Sequence, residues 1–121
     1  MGLIQSFKYA LKGLAYVLKS EQNARIHLVI AVLVFVLGLL LNLSVIQLSV
    51  ILFAIVIVFL AEIINTAFEK ILDIIDDKRN IKIELIKDMA AGAVLIASIT
   101  AFIVGVIVLI PRFVEIIWPL I

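Results

Sequence analysis

The chain contains no cysteine, so neither disulfides nor thiolate chemistry is open to it. Strand alternation, internal repeats and low-complexity linkers are also missing, which leaves one helical domain as the expectation. No short apolar core followed by a small-residue cleavage site opens the chain, so no cleavable signal is expected. The nucleotide signatures G-x-x-x-x-G-K-[ST], a glycine-rich loop, H-R-D and D-F-G are absent too. Charge is sparse: 16% of the 121 residues are charged, and the net value of +1 says little as a total. Nothing in it calls for a nucleic acid partner.

What the chain does have is apolar surface. Hydrophobic residues make up 66% of it and its mean hydropathy is +1.37. A soluble domain is closer to half apolar, so the pattern implies a membrane protein. Three apolar stretches run from about His27 to Leu41, Val45 to Ile64 and Met89 to Ile110. Each is long enough, or nearly so, to cross a hydrocarbon core of ~30 Å at ~1.5 Å per residue. Ahead of them, Leu3, Phe7, Leu11, Leu14 and Leu18 recur at helical spacing opposite Gln5, Lys8, Lys12 and Lys19. That is an amphipathic helix lying in the membrane interface, or alternatively one packed on the other helices. The expected architecture is all-α: a surface helix at 1–22, then spans at 26–42, 45–73 (running on into the cytoplasm) and 88–110.

Lys and Arg set the orientation. Lys8, Lys12, Lys19 and Arg25 precede the first span, and Lys78, Arg79, Lys82 and Lys87 join the second to the third. The link from Asn42 to Gln47 carries no charge. The N-terminus and the 74–88 link are therefore expected in the cytoplasm, with Arg112 and Trp118 near the outer interface of a multi-pass membrane protein. On the third span Ala93, Ala97, Ala101 and Gly105 repeat every four residues, a spacing that lets membrane helices approach closely.

Where the second span continues, Glu62, Asn65, Glu69 and Asp73 fall on one narrow helical face. A charge at the bilayer centre costs about 2.5–3.5 kcal/mol on insertion scales, so such a stripe is a functional hypothesis by default. If the span enters lipid near Val45, Glu62 lies ~26 Å along it, just inside the cytoplasmic edge, and Glu69 ~36 Å along it, at headgroup level. Glu21, Lys87 and Asp88 converge on the same side. Spans one and three hold no ionisable residue at mid-membrane, which disfavours an ion pathway. A series graded from lipid edge to water suits a reaction between a lipid headgroup and a water-soluble reagent. Glu21 and Glu69 offer oxygens for a hard cation such as Mg²⁺, Glu62 a general base, Asn65 an orienting amide and Lys87 a positive point charge for phosphate. These are the parts phosphoryl transfer needs. On residues alone a kinase remains one possibility among several, beside a non-enzymatic oligomeric membrane assembly.

Plainer readings stand next to these. Glu62 could pair with a lysine on another helix, and Glu21 with Arg25 as a helix ion pair worth a few tenths of a kcal/mol. Asp76 and Asp77 read as a solvated helix stop. His27 reads as a lone interfacial histidine making a packing or headgroup contact. Lys87 could serve topology only.

The string Glu62-Ile-Ile-Asn65-Thr66-Ala67-Phe-Glu69-Lys-Ile-Leu-Asp73 resembles the E-x-x-N-[ST]-A-x-E-x-x-x-D signature of the prokaryotic diacylglycerol kinase family, small membrane-embedded lipid kinases. Lys87-Asp88-Met-Ala-Ala91-Gly-Ala-Val-Leu is similar to that family's K-D-x-x-[AS]-[AG]-A-V-L, and Lys12-Gly13-Leu14 with Glu21-Gln-Asn23-Ala-Arg25-Ile-His27 gives a third block. The resemblance covers essentially the whole chain. It implies ATP- and Mg²⁺-dependent phosphorylation of a membrane lipid alcohol by a homotrimer with sites between subunits. By the same resemblance Glu62 is the general base and Glu21 and Glu69 hold the metal. Tyr9, Asn65, Asp73, Lys78, Arg79, Asn80, Lys87 and Asp88 join Glu21 and Glu69 around the nucleotide, and Asn23, Arg25 and Ala91 meet the lipid. The Glu21-to-His27 block looks like the branch that uses undecaprenol. The diacylglycerol-using branch typically carries an acid at the place of His27 and tryptophans near its N-terminus, whereas the one tryptophan here is Trp118.

Overall fold

The computed structural model describes residues 2–76 and 80–121. Its helices are α1 (Leu3–Ser20), α2 (Gln22–Leu40), α3 (Val45–Ile75) and α4 (Ile81–Ile117), with a 3-10 turn at Trp118–Leu120. Among the described residues there is no strand. α2, α3 and α4 are each long and apolar enough to span a membrane.

The α2–α3 turn shows why the chain reverses where it does. Helix α2 ends in a Schellman arrangement: Asn42 takes a left-handed φ of 54°, and the N–H groups of Asn42 and Leu43 donate to the carbonyls of Leu39 and Gly38, each at 3.1 Å. Asparagine is among the few side chains that adopt this conformation readily. Leu43 then folds back on Gly38, where an added Cβ would meet Leu43 Cδ1 at 3.1 Å and Leu48 Cδ2 at 3.2 Å. Helix α3 starts at once with a capping box, Ser44 Oγ accepting from the Gln47 N–H while Gln47 Oε1 accepts from the Ser44 N–H. From α4, Arg112 Nε donates to the Leu41 carbonyl at 2.9 Å, and its Nη1 pairs with Glu115 at 3.1 Å. Leu41, Leu43 and Ile51 form the buried cluster there, with Val34, Leu48 and Val108 packed against it.

α3 is the middle helix. α4 runs back along it as its main partner, α2 packs on it less extensively, and α1 touches α2 and α3 only lightly. Within the chain only 11%, 17% and 6% of the three apolar windows is buried. Lipid or further protein must cover the remainder. Helix α1 likewise leaves Leu3, Phe7, Leu11 and Leu14 exposed, and Val17 is its one buried residue. Most of its apolar face is therefore left uncovered within this chain.

α4 differs from the expected third span. It begins at Ile81, capped by Asn80 Oδ1 accepting from the Lys82 N–H at 2.9 Å, and runs through Pro111 to Ile117. Hydropathy marks where a helix meets lipid, whereas caps decide where it ends. The helix therefore begins ahead of the apolar stretch that opens at Met89, as α3 runs past Ile64 to Ile75. Of the small stripe on α4, Ala97 is buried, Ala93 is exposed, and a Cβ on Gly105 would meet nothing within 4 Å.

Candidate active site

The acids gather at the end of the bundle where α1 meets α2 and where α3 meets α4. Glu62 is 4% exposed on α3, and His27 Nε2 of α2 stands 3.2 Å from its Oε1. Glu62 is thus partnered across helices, by a histidine rather than by a lysine. One turn on, Thr66 is 3% exposed and its Oγ1 has no partner; neither has the buried Oδ1 of Asn65. The Asn65 amide donates to Glu69 Oε1 at 3.4 Å. Another turn along, Lys87 Nζ of α4 bonds Asp73 Oδ1 at 2.7 Å. Buried polar atoms without partners are uncommon, and here two lie within about a turn of a buried carboxylate.

The polar end of the stripe is electrostatically linked. Asp73 and Lys87 lie beyond the apolar segments 45–64 and 89–110. The Lys87 hydrogen bond holds the Asp73 carboxyl below its ordinary 3.8, with the positive charges of Lys87 and Lys70 acting the same way. Reciprocally, the bond from Asp73 lifts Lys87 above its ordinary 10.5, helped by Asp73, Glu69 and Glu84 charge. Lys70 reaches from α3 over the Tyr16 ring of α1, 5.5 Å from its centroid, and feels the field of Glu21. The α1–α2 corner that carries Glu21 is thereby brought to the Glu69–Asp73 stretch.

The other expected residues fall as follows. Arg25 Nη1 donates to the carbonyls of Leu18 and Lys19, at 3.0 and 2.8 Å, and so closes the end of α1 rather than pairing with Glu21. Asn23, Asp88 and Ala91 are exposed near the same end, and Asn80 is spent capping α4. Tyr9 is exposed and sits seven residues before Tyr16 on α1, ~10 Å from the point where that helix meets Lys70. Lys78 and Arg79 lie outside the described residues. Sequence reasoning passed over His27 as catalytic machinery and did not single out Tyr16 or Lys70. Neither contact has a local signal, since both join residues more than thirty positions apart.

Below His27 an apolar groove of about 500 Å³ runs over α3 between α2 and α4. It is walled by side chains such as Ile30, Val34, Val58, Phe59, Ala101 and Phe102, with His27 at one end. The groove exists because α2 and α4 both pack on α3 but hardly on each other.

Among the described residues no three of His, Asp or Glu come together as a cage for a metal. The expected donors, Glu21 at the α1–α2 corner and Glu69 on α3, are carboxylates, the group that holds Mg²⁺ one or two at a time beside phosphate oxygens and water.

Fold and site together define an all-helical membrane protein with a buried acid at the head of an apolar groove and a charged, water-facing stripe beyond it. The family profile of the prokaryotic diacylglycerol kinases matches residues 8–109. The chain is 37% identical over 110 residues to a protein of Synechocystis named diacylglycerol kinase, covering 90% of this chain and 63% of that one. It is 33% identical over 108 residues to one of Bacillus subtilis named undecaprenol kinase, covering 89% of this chain and 88% of that one. The chain belongs to the prokaryotic diacylglycerol kinase family, whose named relatives here are lipid kinases.

Proposed function

We propose that this protein transfers the γ-phosphoryl group of Mg²⁺–ATP to the hydroxyl of a membrane lipid alcohol at the cytoplasmic face, and that undecaprenol is its lipid. The observation that carries this is the position of Glu62. It is a nearly inaccessible carboxylate behind His27, which lines an apolar groove fit for a hydrocarbon chain, and it begins a polar stripe fit for phosphates. Glu62 accepts the hydroxyl proton as the lipid oxygen bonds to the γ-phosphorus and the bond to ADP breaks. Glu21 and Glu69 hold the metal, which when bound neutralises phosphate charge. Asn65, whose Oδ1 is unpartnered and whose amide touches Glu69, orients groups between base and metal. Lys87, presented by Asp73, faces the phosphates.

Undecaprenol is favoured over diacylglycerol by the Glu21-to-His27 block and by the near-complete coverage of the undecaprenol kinase relative. The Synechocystis relative keeps diacylglycerol as the second substrate to test. A homotrimer accounts for the open apolar face of α1 and the unfilled positions around Ala93 and Gly105. The decisive assay gives purified protein ATP, Mg²⁺ and each lipid side by side. Phosphorylated undecaprenol formed at the higher kcat/KM supports this assignment. A preference for diacylglycerol reverses the lipid choice, and no product from either lipid removes the activity altogether.

A further inference from the structure

We propose that His27 is the positioning residue for Glu62: its imidazole, with Nε2 against one carboxylate oxygen, holds that oxygen and leaves the other turned to a hydroxyl arriving along the groove. This rests on Glu62 being the base. His27 is the sole histidine in the chain, and it is set where few side chains fit. The α2 face toward α3 reads Ala24, His27, Ala31, Val34 and Gly38, at helical spacing. Ala24 and Gly38 are both buried, Ala24 completely. Small residues on either side bring α2 close to α3, and the imidazole fills the space that remains against Glu62.

Two observations make this more than a packing contact. The approach is 3.2 Å from nitrogen to oxygen, with the Glu62 side chain 5% and the His27 side chain 26% exposed. Also, His27 and Ser98 are the polar side chains lining the groove, while Glu62 does not line it. A groove-bound chain therefore meets the imidazole before it meets the carboxylate. A carboxylate has two oxygens, and one must stay free to take a proton. An imidazole nitrogen held against Oε1 from a different helix restricts the rotation of the carboxyl group and ties its position to that of the groove.

The test compares His27→Leu, His27→Gln, Glu62→Gln and the His27→Leu/Glu62→Gln double variant, measuring lipid-phosphorylation kcat and the KM for Mg²⁺–ATP. Glutamine places an amide N–H near the position of Nε2, whereas leucine fills the space without a donor. Expected is a fall in kcat of up to about 10²-fold in His27→Leu with KM for ATP unchanged, since misplacing a reacting group by ~1 Å costs about that much. His27→Gln restores most of the loss, and the double variant is no slower than Glu62→Gln alone. Wild-type kcat in His27→Leu beside an inactive Glu62→Gln overturns the role of His27 and leaves the base assignment standing. So does a His27→Gln as slow as His27→Leu, or a double variant with the two losses multiplied. Full activity in Glu62→Gln overturns the base assignment itself, and the role of His27 with it.

Discussion

The two ends of this bundle are built on opposite rules. At the α2–α3 turn the chain satisfies itself: the Schellman turn, the capping box of Ser44 and Gln47, and Arg112 on the Leu41 carbonyl take up backbone groups that the helix ends leave open. At the charged end a carboxylate is buried, Thr66 Oγ1 and Asn65 Oδ1 lack partners, and Asp73 and Lys87 stand in water. Both ends have the same apolar helices to draw on. The first is finished as folded and serves stability. The second leaves polar atoms open beside a buried acid, as a binding site does.

Substitutions at the two ends should therefore separate activity from stability. The largest effect is expected for Glu62→Gln, with kcat down by about 10²–10⁴-fold, the range general-base removal covers, and an unchanged thermal midpoint in detergent. A Glu62→Gln enzyme as fast as wild type would place the chemistry elsewhere. Next, Glu69→Gln should lose activity mainly through weaker Mg²⁺–ATP binding. Titration with Mg²⁺ checks this: activity recovers as Mg²⁺ rises, and undiminished activity at ordinary Mg²⁺ would remove the metal role. At the other end, Gly38→Val overpacks against Leu43 and Leu48 and should cost about 1–3 kcal/mol. Its thermal midpoint should fall while activity per folded molecule holds, and a parallel loss of kcat would mean that the ends are coupled.

The smallest effect concerns Lys87→Met and pH. Asp73 is held below 3.8, so its contribution is complete above that value and fades as pH falls through the lowered one. Lys87 is raised above 10.5, so its contribution is complete below that value and fades as pH rises past it. The two thermal midpoints should differ slightly between these limits and converge in acid. The pair is solvent-exposed, so salt should shrink the difference.

Much of this was readable from one-dimensional patterns. Three apolar helices, an amphipathic first helix and the face shared by Glu62, Asn65, Glu69 and Asp73 follow from periodicity, because periodicity within a helix is a local property. Contacts between helices are not local. His27 looked peripheral because its partner lies thirty-five residues away on α3. Arg25 looked like a partner of Glu21 because i,i+4 spacing permits it, yet the end of α1 left carbonyls that competed for the guanidinium. The start of α4 at Ile81 was obscured because Lys82, Glu84 and Lys87 lower hydropathy without weakening a helix.

The capped start of α3 has one more consequence. From Ser44 to Glu62 is ~27 Å of continuous helix, close to the ~30 Å of a hydrocarbon core. With its origin pinned at the far face by the turn, α3 is a measuring rod, and its length sets how deep the base sits. In a bilayer a few ångströms thinner, the rod overshoots and lifts Glu62 toward the headgroups; in a thicker one it falls short and sinks the acid into hydrocarbon. With Glu62 as the proposed base, kcat is expected to change with the acyl-chain length of the surrounding membrane, which assays in bilayers of graded thickness check.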